Sequence, residues 1–193
     1  MKYILDFDEV IFDTKALKAK MDEMNISQAD RNNNLFHRIA EEDPSFNVKD
    51  FVFPDALVFL QEYGDQCIVV SSASSRKEEN NINTALQTEF QKNKISLSGV
   101  ADLVSEVCVV SSEKTEALQE IQSDLGEDVL FLDDREVYIR QAQEIGMRSV
   151  WMDREGKGNA TSPEGVPAMK EFPRVASFSE FAQYIESCKK KKI

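Results

Sequence analysis

The sequence of 193 residues predicts an α/β fold, a Rossmann-like three-layer core in which a parallel sheet lies between helices. Short apolar runs alternate with longer segments of helical spacing, and this alternation is typical of parallel sheets. Most of these runs lack the apolar–polar alternation of half-exposed strands, which indicates burial on both faces. Several runs also end in polar side chains, which predicts a functional site at one edge of the sheet.

The predicted strands are rich in Val and Ile and cover Lys2–Leu5, Cys67–Val70, Val107–Val110, Val129–Leu132 and Ser149–Met152. The helices predicted between them are Pro54–Tyr63, Ser75–Gln91, Glu113–Leu125 and Arg135–Ile145. Proline suits a first helical turn, as at Pro54, and glycine often follows a helix, as at Gly64, Gly126 and Gly146. A short strand around Val175 and a helix over Phe178–Cys188 are expected to close the domain.

The connection after the first strand is unusually long, at about forty residues, for this class of fold. Its segments Lys15–Met24 and Ser27–Glu42 both have helical spacing, and Asp13 and Thr14 suit the N-terminal cap of the first. We therefore expect a helical cap over residues 14–53, inserted into a core of residues 1–13 and 54–193. This cap would roof the sheet edge that carries the predicted site.

The composition limits the classes of partner. A net charge of −12 repels nucleic acid backbones and anionic membranes, so we expect neither as a partner. No apolar stretch approaches the roughly 20 residues that span a bilayer. Asp6 and Asp8 interrupt the apolar N-terminus, which argues against a signal peptide, so we expect a cytoplasmic protein. The oligomeric state stays open.

Two aspartates at the end of the first strand carry most of the functional information. Side chains alternate along a strand, so Asp6 and Asp8 lean to the same side with Phe7 opposite. Two close carboxylates repel each other unless a proton or a cation lies between them. The pair therefore indicates a divalent metal site, in which one carboxylate attacks and the other moves protons.

Polar residues follow three further apolar runs and belong to the same edge of a parallel sheet. Ser71 and Ser72 follow Cys67–Val70, Lys114 lies just past Val107–Val110, and Asp133 and Asp134 follow Val129–Leu132.

In this order, the four groups resemble the motifs of the haloacid dehalogenase-like hydrolase superfamily, which is mostly phosphatases. The first motif is matched by Asp6-Phe7-Asp8-Glu9-Val10, the second by Ser71, the third by Lys114 and the fourth by Leu132-Asp133-Asp134. The insert after the first motif resembles the small helical cap of that superfamily. The resemblance covers essentially the whole chain.

The resemblance implies a Mg²⁺-dependent phosphatase that acts on a small phosphorylated metabolite. Asp6 is the implied nucleophile, which forms an aspartyl phosphate, and Asp8 is the implied general acid and base. Asp6, Asp134 and the backbone carbonyl of Asp8 are the implied metal ligands, supported by Asp133. The implied phosphate-binding residues are Ser71, Ser72 and Lys114.

Three positions depart from the usual motifs. Glu9 stands where glycine is common, Ser72 stands where asparagine is common, and Tyr138 stands where the fourth motif often has a second Asp or Asn. A phosphotransferase or phosphomutase, or a non-catalytic phospho-acceptor like a receiver module, stays an alternative. Dehalogenation is less favoured, because a departing halide needs no proton from Asp8.

Cations available for an anionic leaving group are Lys18, Lys20, Arg31, His37 and Arg38.

Overall fold

The computed structural model describes residues 1–26, 35–73, 84–111, 113–126, 128–156 and 172–190 of the chain. Its sheet has the strand order β3-β2-β1-β4-β5-β6, and all neighbouring strands are parallel. This sheet confirms the predicted α/β class. The strands are β1 Lys2–Leu5, β2 Cys67–Ser72, β3 Glu106–Val110, β4 Val129–Asp133, β5 Arg148–Met152 and β6 Arg174–Val175.

The α-helices of the described ranges are α1 Thr14–Glu23, α2 Leu35–Glu42, α3 Pro54–Tyr63, α4 Thr84–Leu97, α5 Thr115–Leu125, α6 Glu136–Glu144 and α7 Phe178–Lys190. The prediction for α4 was wrong at its C-terminal end, since the helix continues six residues past Gln91. The predicted helical residues 27–34 and 75–83 lie outside the described residues. None of the helices in the described ranges is both long and apolar enough to cross a membrane.

The sheet is covered on both faces, which explains the continuous apolar runs of its strands. Along β1, Tyr3 and Leu5 pack into one core cluster with residues of α3 and α7. Ile4 points the other way, into a second cluster with residues of α5 and α6. A strand in this position has no solvent-facing side, so its sequence shows no polar alternation.

The central position of β1 determines where the site forms. Leu5 pairs with Val69 of β2 on one side and with Leu132 of β4 on the other. The backbone N–H of Asp6 donates to the carbonyl of Leu132 over 2.9 Å. The ends of β2 and β4, with Ser71 and Asp133, therefore flank Asp6.

The segment between β1 and α3 contains α1 and α2, and aromatic stacking ties α2 to α4. The rings of Phe36 and Phe90 are stacked with centroids 5.1 Å apart. The side chain of Asp13 caps α1 as expected, accepting from the N–H of Ala16 over 2.8 Å. The division into a core and a cap of residues 14–53 stays a prediction.

Candidate active site

Lys114 joins the ends of β1 and β4 from the protein interior. It directly precedes α5 and is fully buried, with its Nζ 2.6 Å from Oδ1 of Asp6 and 2.6 Å from Oδ2 of Asp133. Burial opposes its charge, but the carboxylates of Asp133 and Asp6 raise the pKa of Lys114. Lys114 is therefore a permanent cation that fixes the orientation of Asp6.

Three carboxylates gather around this cation. Asp6, Asp133 and Asp134 each place one oxygen within 4.8 Å of the others. Burial, only partly offset by Lys114, raises the pKa of Asp6 to about 7. Burial together with the charges of Asp6 and Asp133 raises the pKa of Asp134 to about 9. One ammonium group does not neutralise three carboxylates, and an all-oxygen cluster with excess negative charge suits Mg²⁺.

The side chain of Asp8 has a different set of partners. Its Oδ1 lies 2.5 Å from Nζ of Lys94, and its Oδ2 accepts from Nε2 of Gln91 over 2.7 Å. The hydroxyl of Thr14 also donates to Oδ1, so this residue holds Asp8 rather than capping α1. Burial opposes ionisation, but Lys94 and these hydrogen bonds lower the pKa of Asp8. Asp8 is thus held as a carboxylate.

Gln91 links the ends of β1 and β2. Its side-chain nitrogen donates to Asp8 and also to Oγ of Ser71, over 2.7 Å in each case. A primary amide has two N–H donors, so both contacts are satisfied by one group. Ser71 is fully buried, and its hydroxyl is used within the protein as the acceptor for Gln91.

Tyr138 occupies the place where the fourth motif often has a second Asp or Asn. Its ring centroid lies 4.7 Å from Nζ of Lys114 and 4.8 Å from the guanidinium carbon of Arg135. Its hydroxyl lies 3.3 Å from Oγ of Ser72. An aromatic face attracts cations, so this position contacts the two basic residues rather than adding a metal ligand.

A pocket of about 390 Å³ opens above these groups. It is lined on the sheet side by Asp6, Asp8, Glu9, Ser72, Ala73, Asp134, Arg135 and Tyr138, and on the helical side by Thr14, Lys15, Lys18, Gln87, Phe90, Gln91 and Lys94. The predicted residues therefore fall into two groups. Asp6, Asp8, Ser72 and Asp134 face the pocket, whereas Ser71, Lys114 and Asp133 are fully buried around it.

Comparison with known proteins supports the resemblance at the level of sequence. No family model matches the chain. The enolase-phosphatase E1 of Marinobacter nauticus is 29% identical over 119 residues, which make up 58% of this chain. That match covers 49% of the enolase-phosphatase, so it spans about half the length of this relative.

Solved structures match nearly the whole chain. A protein of Burkholderia xenovorans assigned to the haloacid dehalogenase-like hydrolases has a TM-score of 0.62, with 16% identity and 94% of each chain covered. The chain has the fold of the haloacid dehalogenase-like hydrolases. The L-2-haloacid dehalogenase RSc1362 has a TM-score of 0.57, with 14% identity and coverage of 96% of this chain and 98% of the other. The heptose bisphosphate phosphatase of B. bronchiseptica, in complex with magnesium and phosphate, has a TM-score of 0.56, with 13% identity and coverage of 97% and 99%.

Sequence reasoning missed two residues of the candidate site, Gln91 and Lys94. Both lie on α4, are almost fully buried and contact Asp8. The available signal was that Gln91 and Lys94 are three positions apart, a spacing that places two residues on the same face of a helix. The predicted helix ends at Gln91, so the sequence prediction did not place Lys94 on the same helix face.

The basic residues of the insert that are candidates for binding an anionic leaving group differ in their positions relative to the pocket. Lys18 lines the pocket, whereas Lys20 pairs with Asp43 over 3.2 Å. His37 and Arg38 are exposed on α2 and are not among the pocket-lining residues of the described ranges. Arg31 lies outside the described residues.

Proposed function

We propose that the protein is a Mg²⁺-dependent phosphatase that hydrolyses a small phosphorylated metabolite through an aspartyl phosphate on Asp6. The observation that carries this proposal is the placement of Asp6, whose carboxylate contacts Lys114 and belongs to a cluster with Asp133 and Asp134. Asp8 lines the same pocket as Asp6. A nucleophile, a metal-binding cluster and a second carboxylate are the parts that phosphoryl transfer requires.

The carboxylates fit the expected cation. Asp6 and Asp134 would bind Mg²⁺ together with the backbone carbonyl of Asp8, while Asp133 would support them from its contact with Lys114. When bound, Mg²⁺ offsets the negative charge of the cluster and of the incoming phosphate. The raised pKa values of Asp6 and Asp134 in its absence agree with a site built for a cation.

The protein residues then divide the reaction into two steps. In the first, a carboxylate oxygen of Asp6 attacks phosphorus and the bond to the leaving oxygen breaks. Asp8, a carboxylate in the free protein, first takes up a proton from solvent, which the negative charge of the bound phosphate favours, and passes this proton to the leaving oxygen. In the second, water attacks the phosphorus, Asp8 accepts the proton of the water, and Asp6 is released as a carboxylate with inorganic phosphate. Lys114, Ser71 and the Ser72 amide are the proposed partners of the phosphoryl oxygens.

Dehalogenases share this fold, so the choice of reaction needs its own argument. A halide leaves without a proton and carries no phosphoryl charge that a cation must offset. The cluster of Asp6, Asp133 and Asp134 and the presence of Asp8 in the same pocket favour phosphoryl transfer over dehalogenation.

The direct test is phosphate release from an aryl phosphate by the purified chain. We expect turnover with Mg²⁺, no turnover with excess EDTA, and a loss of about a thousandfold or more in Asp6→Asn. Asp13→Asn is the matched control, because Asn caps a helix as well as Asp does and Asp13 lies outside the pocket lining. Full activity of Asp6→Asn would refute the proposed nucleophile.

The same preparation separates the alternatives. Transfer of the phosphoryl group to an added sugar phosphate, in preference to water, would establish a phosphotransferase or mutase. A stable phosphorylated protein without turnover would establish a phospho-acceptor module. Chloride release from a 2-chloro acid without phosphatase activity would establish a dehalogenase.

A further inference from the structure

Arg135 is a pocket residue held on an aromatic support. It directly follows Asp134 and lines the pocket, with its guanidinium carbon 4.8 Å from the centroid of the Tyr138 ring. Its NH1 lies 3.4 Å from the phenol oxygen of Tyr138. Tyr138 is itself only 6% exposed, and its hydroxyl contacts Ser72. The guanidinium group is therefore positioned by a buried side chain, although Arg135 is exposed.

Most other cations of the pocket are already matched with carboxylates. Lys94 pairs with Asp8 over 2.5 Å, and Lys15 pairs with Glu9 over 3.4 Å and with Glu155 over 2.6 Å. Arg135 and Lys18 have no carboxylate partner among the residues that the structure describes. They reach the pocket from two sides. Arg135 lies between the end of β4 and the start of α6, whereas Lys18 lies on α1, in the segment between β1 and α3.

The identity of residue 138 helps to leave Arg135 without a carboxylate partner among the described residues. The fourth motif often has Asp or Asn at this position, and an Asp would neutralise a neighbouring cation. Tyrosine supports the guanidinium of Arg135 through its ring without removing its charge. A planar guanidinium fixed in this way is suited to bind a carboxylate or phosphate through two hydrogen bonds.

We propose that the substrate is a phosphate ester that carries a second anionic group, a carboxylate or a second phosphate, which Arg135 binds with assistance from Lys18. This inference rests on the proposed phosphatase function, in which the acidic cluster and its cation take the scissile phosphate. The second anionic group then belongs to the leaving-group part of the substrate, and Arg135 determines specificity without taking part in bond breaking.

The test compares three phosphonates that cannot be hydrolysed, using calorimetric titration of the full chain with Mg²⁺. Propylphosphonate has one anionic group, whereas 3-phosphonopropionate and propane-1,3-bisphosphonate each have a second one. We expect the two latter ligands to bind about tenfold more tightly, which is about 1.4 kcal/mol and fits one charge-assisted pair. Their relative affinity shows whether the second group is a carboxylate or a phosphate.

Variants of Arg135 and Lys18 test whether these residues cause the preference for a second anionic group. In Arg135→Gln we expect the preference to fall to about twofold, with the affinity for propylphosphonate unchanged, and in Lys18→Gln we expect a smaller decrease. Lys20→Gln is the matched control on α1, because Lys20 pairs with Asp43 and does not line the pocket. Because Arg135 and Lys18 are exposed, their replacement leaves the core intact, which thermal unfolding verifies.

Each further outcome is decisive. Equal affinity of the wild type for all three phosphonates, or an undiminished preference in Arg135→Gln, would overturn the second anionic group while leaving the phosphatase intact. Failure of every phosphonate to bind in the presence of Mg²⁺ would instead overturn the proposed phosphate site, and with it this inference.

Discussion

The ammonium group of Lys94 lies 2.5 Å from a carboxylate oxygen of Asp8, across 86 positions of sequence. Lys94 is only 4% exposed, and its Nζ lies 5.4 Å and 5.6 Å from the ring centroids of Phe7 and Phe12. Aromatic surroundings reduce screening by water and strengthen the pair. Helix α4 is therefore part of the candidate active site, through a lysine that lies outside the four sequence motifs.

Replacement of Lys94 by Met tests this contact. Lys94 lowers the pKa of Asp8, so its loss raises that pKa. The limb of the pH–rate profile that Asp8 governs then moves to higher pH, whether Asp8 acts as acid or as base in the limiting step. Where the attack of water limits turnover, Asp8 acts as the base, and we expect a decrease on the order of tenfold in kcat near neutral pH. Lys92→Met is the control, since Lys92 pairs with Glu89 on the exposed side of α4. A pH–rate profile whose limb does not move would show that groups other than Lys94 determine the pKa of Asp8.

Lys114 should be essential for stability as well as for activity. Lys114→Met leaves Asp6 and Asp133 buried without their shared cation, and we expect a loss of about 3–5 kcal/mol in the free energy of unfolding. The double variant Lys114→Met/Asp133→Asn removes one of the two stranded charges and should recover part of this loss. Urea unfolding measures both. An unaltered midpoint for Lys114→Met would contradict the buried ion pairs.

Mg²⁺ should stabilise the protein more as the pH rises. Asp6 and Asp134 have pKa values raised from 3.8 to about 7 and about 9 in the folded chain. The folded state thus holds more protons than the unfolded state between about pH 4 and pH 9, so the metal-free protein loses stability through this window. Protons and Mg²⁺ compete for the same oxygens, so the gain in Tm on adding Mg²⁺ should be larger at pH 8.5 than at pH 6.

Asp134→Asn serves as the control for the metal effect. It removes one ligand and one shifted carboxyl group, so the gain in Tm should shrink and should depend less on pH. A gain that is the same at both pH values would indicate that Mg²⁺ binds elsewhere.

Glu9 adopts a backbone conformation that favours glycine. Its φ is 61°, in the left-handed region that disfavours residues with a Cβ. We expect Glu9→Gly to be more stable than Glu9→Ala by about 1 kcal/mol, as measured by urea unfolding. Both variants lose the same carboxylate and its contact with Lys15, so their difference isolates the backbone effect. Equal stability would show that the turn relaxes to accommodate Ala.

Much of the fold could be predicted from the sequence because its signals are local. β1 and α3 begin and end where the sequence predicted, since an apolar run stops at Asp6 and Pro54 suits a first helical turn. The end of α4 was predicted wrongly because its inward face carries Gln91 and Lys94 beside Phe90 and Ile95. Polar residues on a buried face weaken the apolar periodicity from which helices are predicted.

The candidate site was predictable only in part, because some of its contacts depend on tertiary position and not on local sequence. Strand-end residues such as Asp6 and Asp133 come together through parallel pairing, which short apolar runs indicate. The contact of Gln91 with both Asp8 and Ser71 depends instead on the tertiary position of a helix. No local pattern specifies such a contact, so the residues that set the charge state of Asp8 emerged only from the structure.

The location of β1 has a consequence for the dynamics of the molecule. This strand is hydrogen-bonded on both edges and covered on both faces, so its amide hydrogens should exchange with solvent only when the entire domain unfolds. The backbone that carries Asp6 is therefore among the most protected parts of the chain. The proposed nucleophile should therefore keep its position when the elements around it open locally.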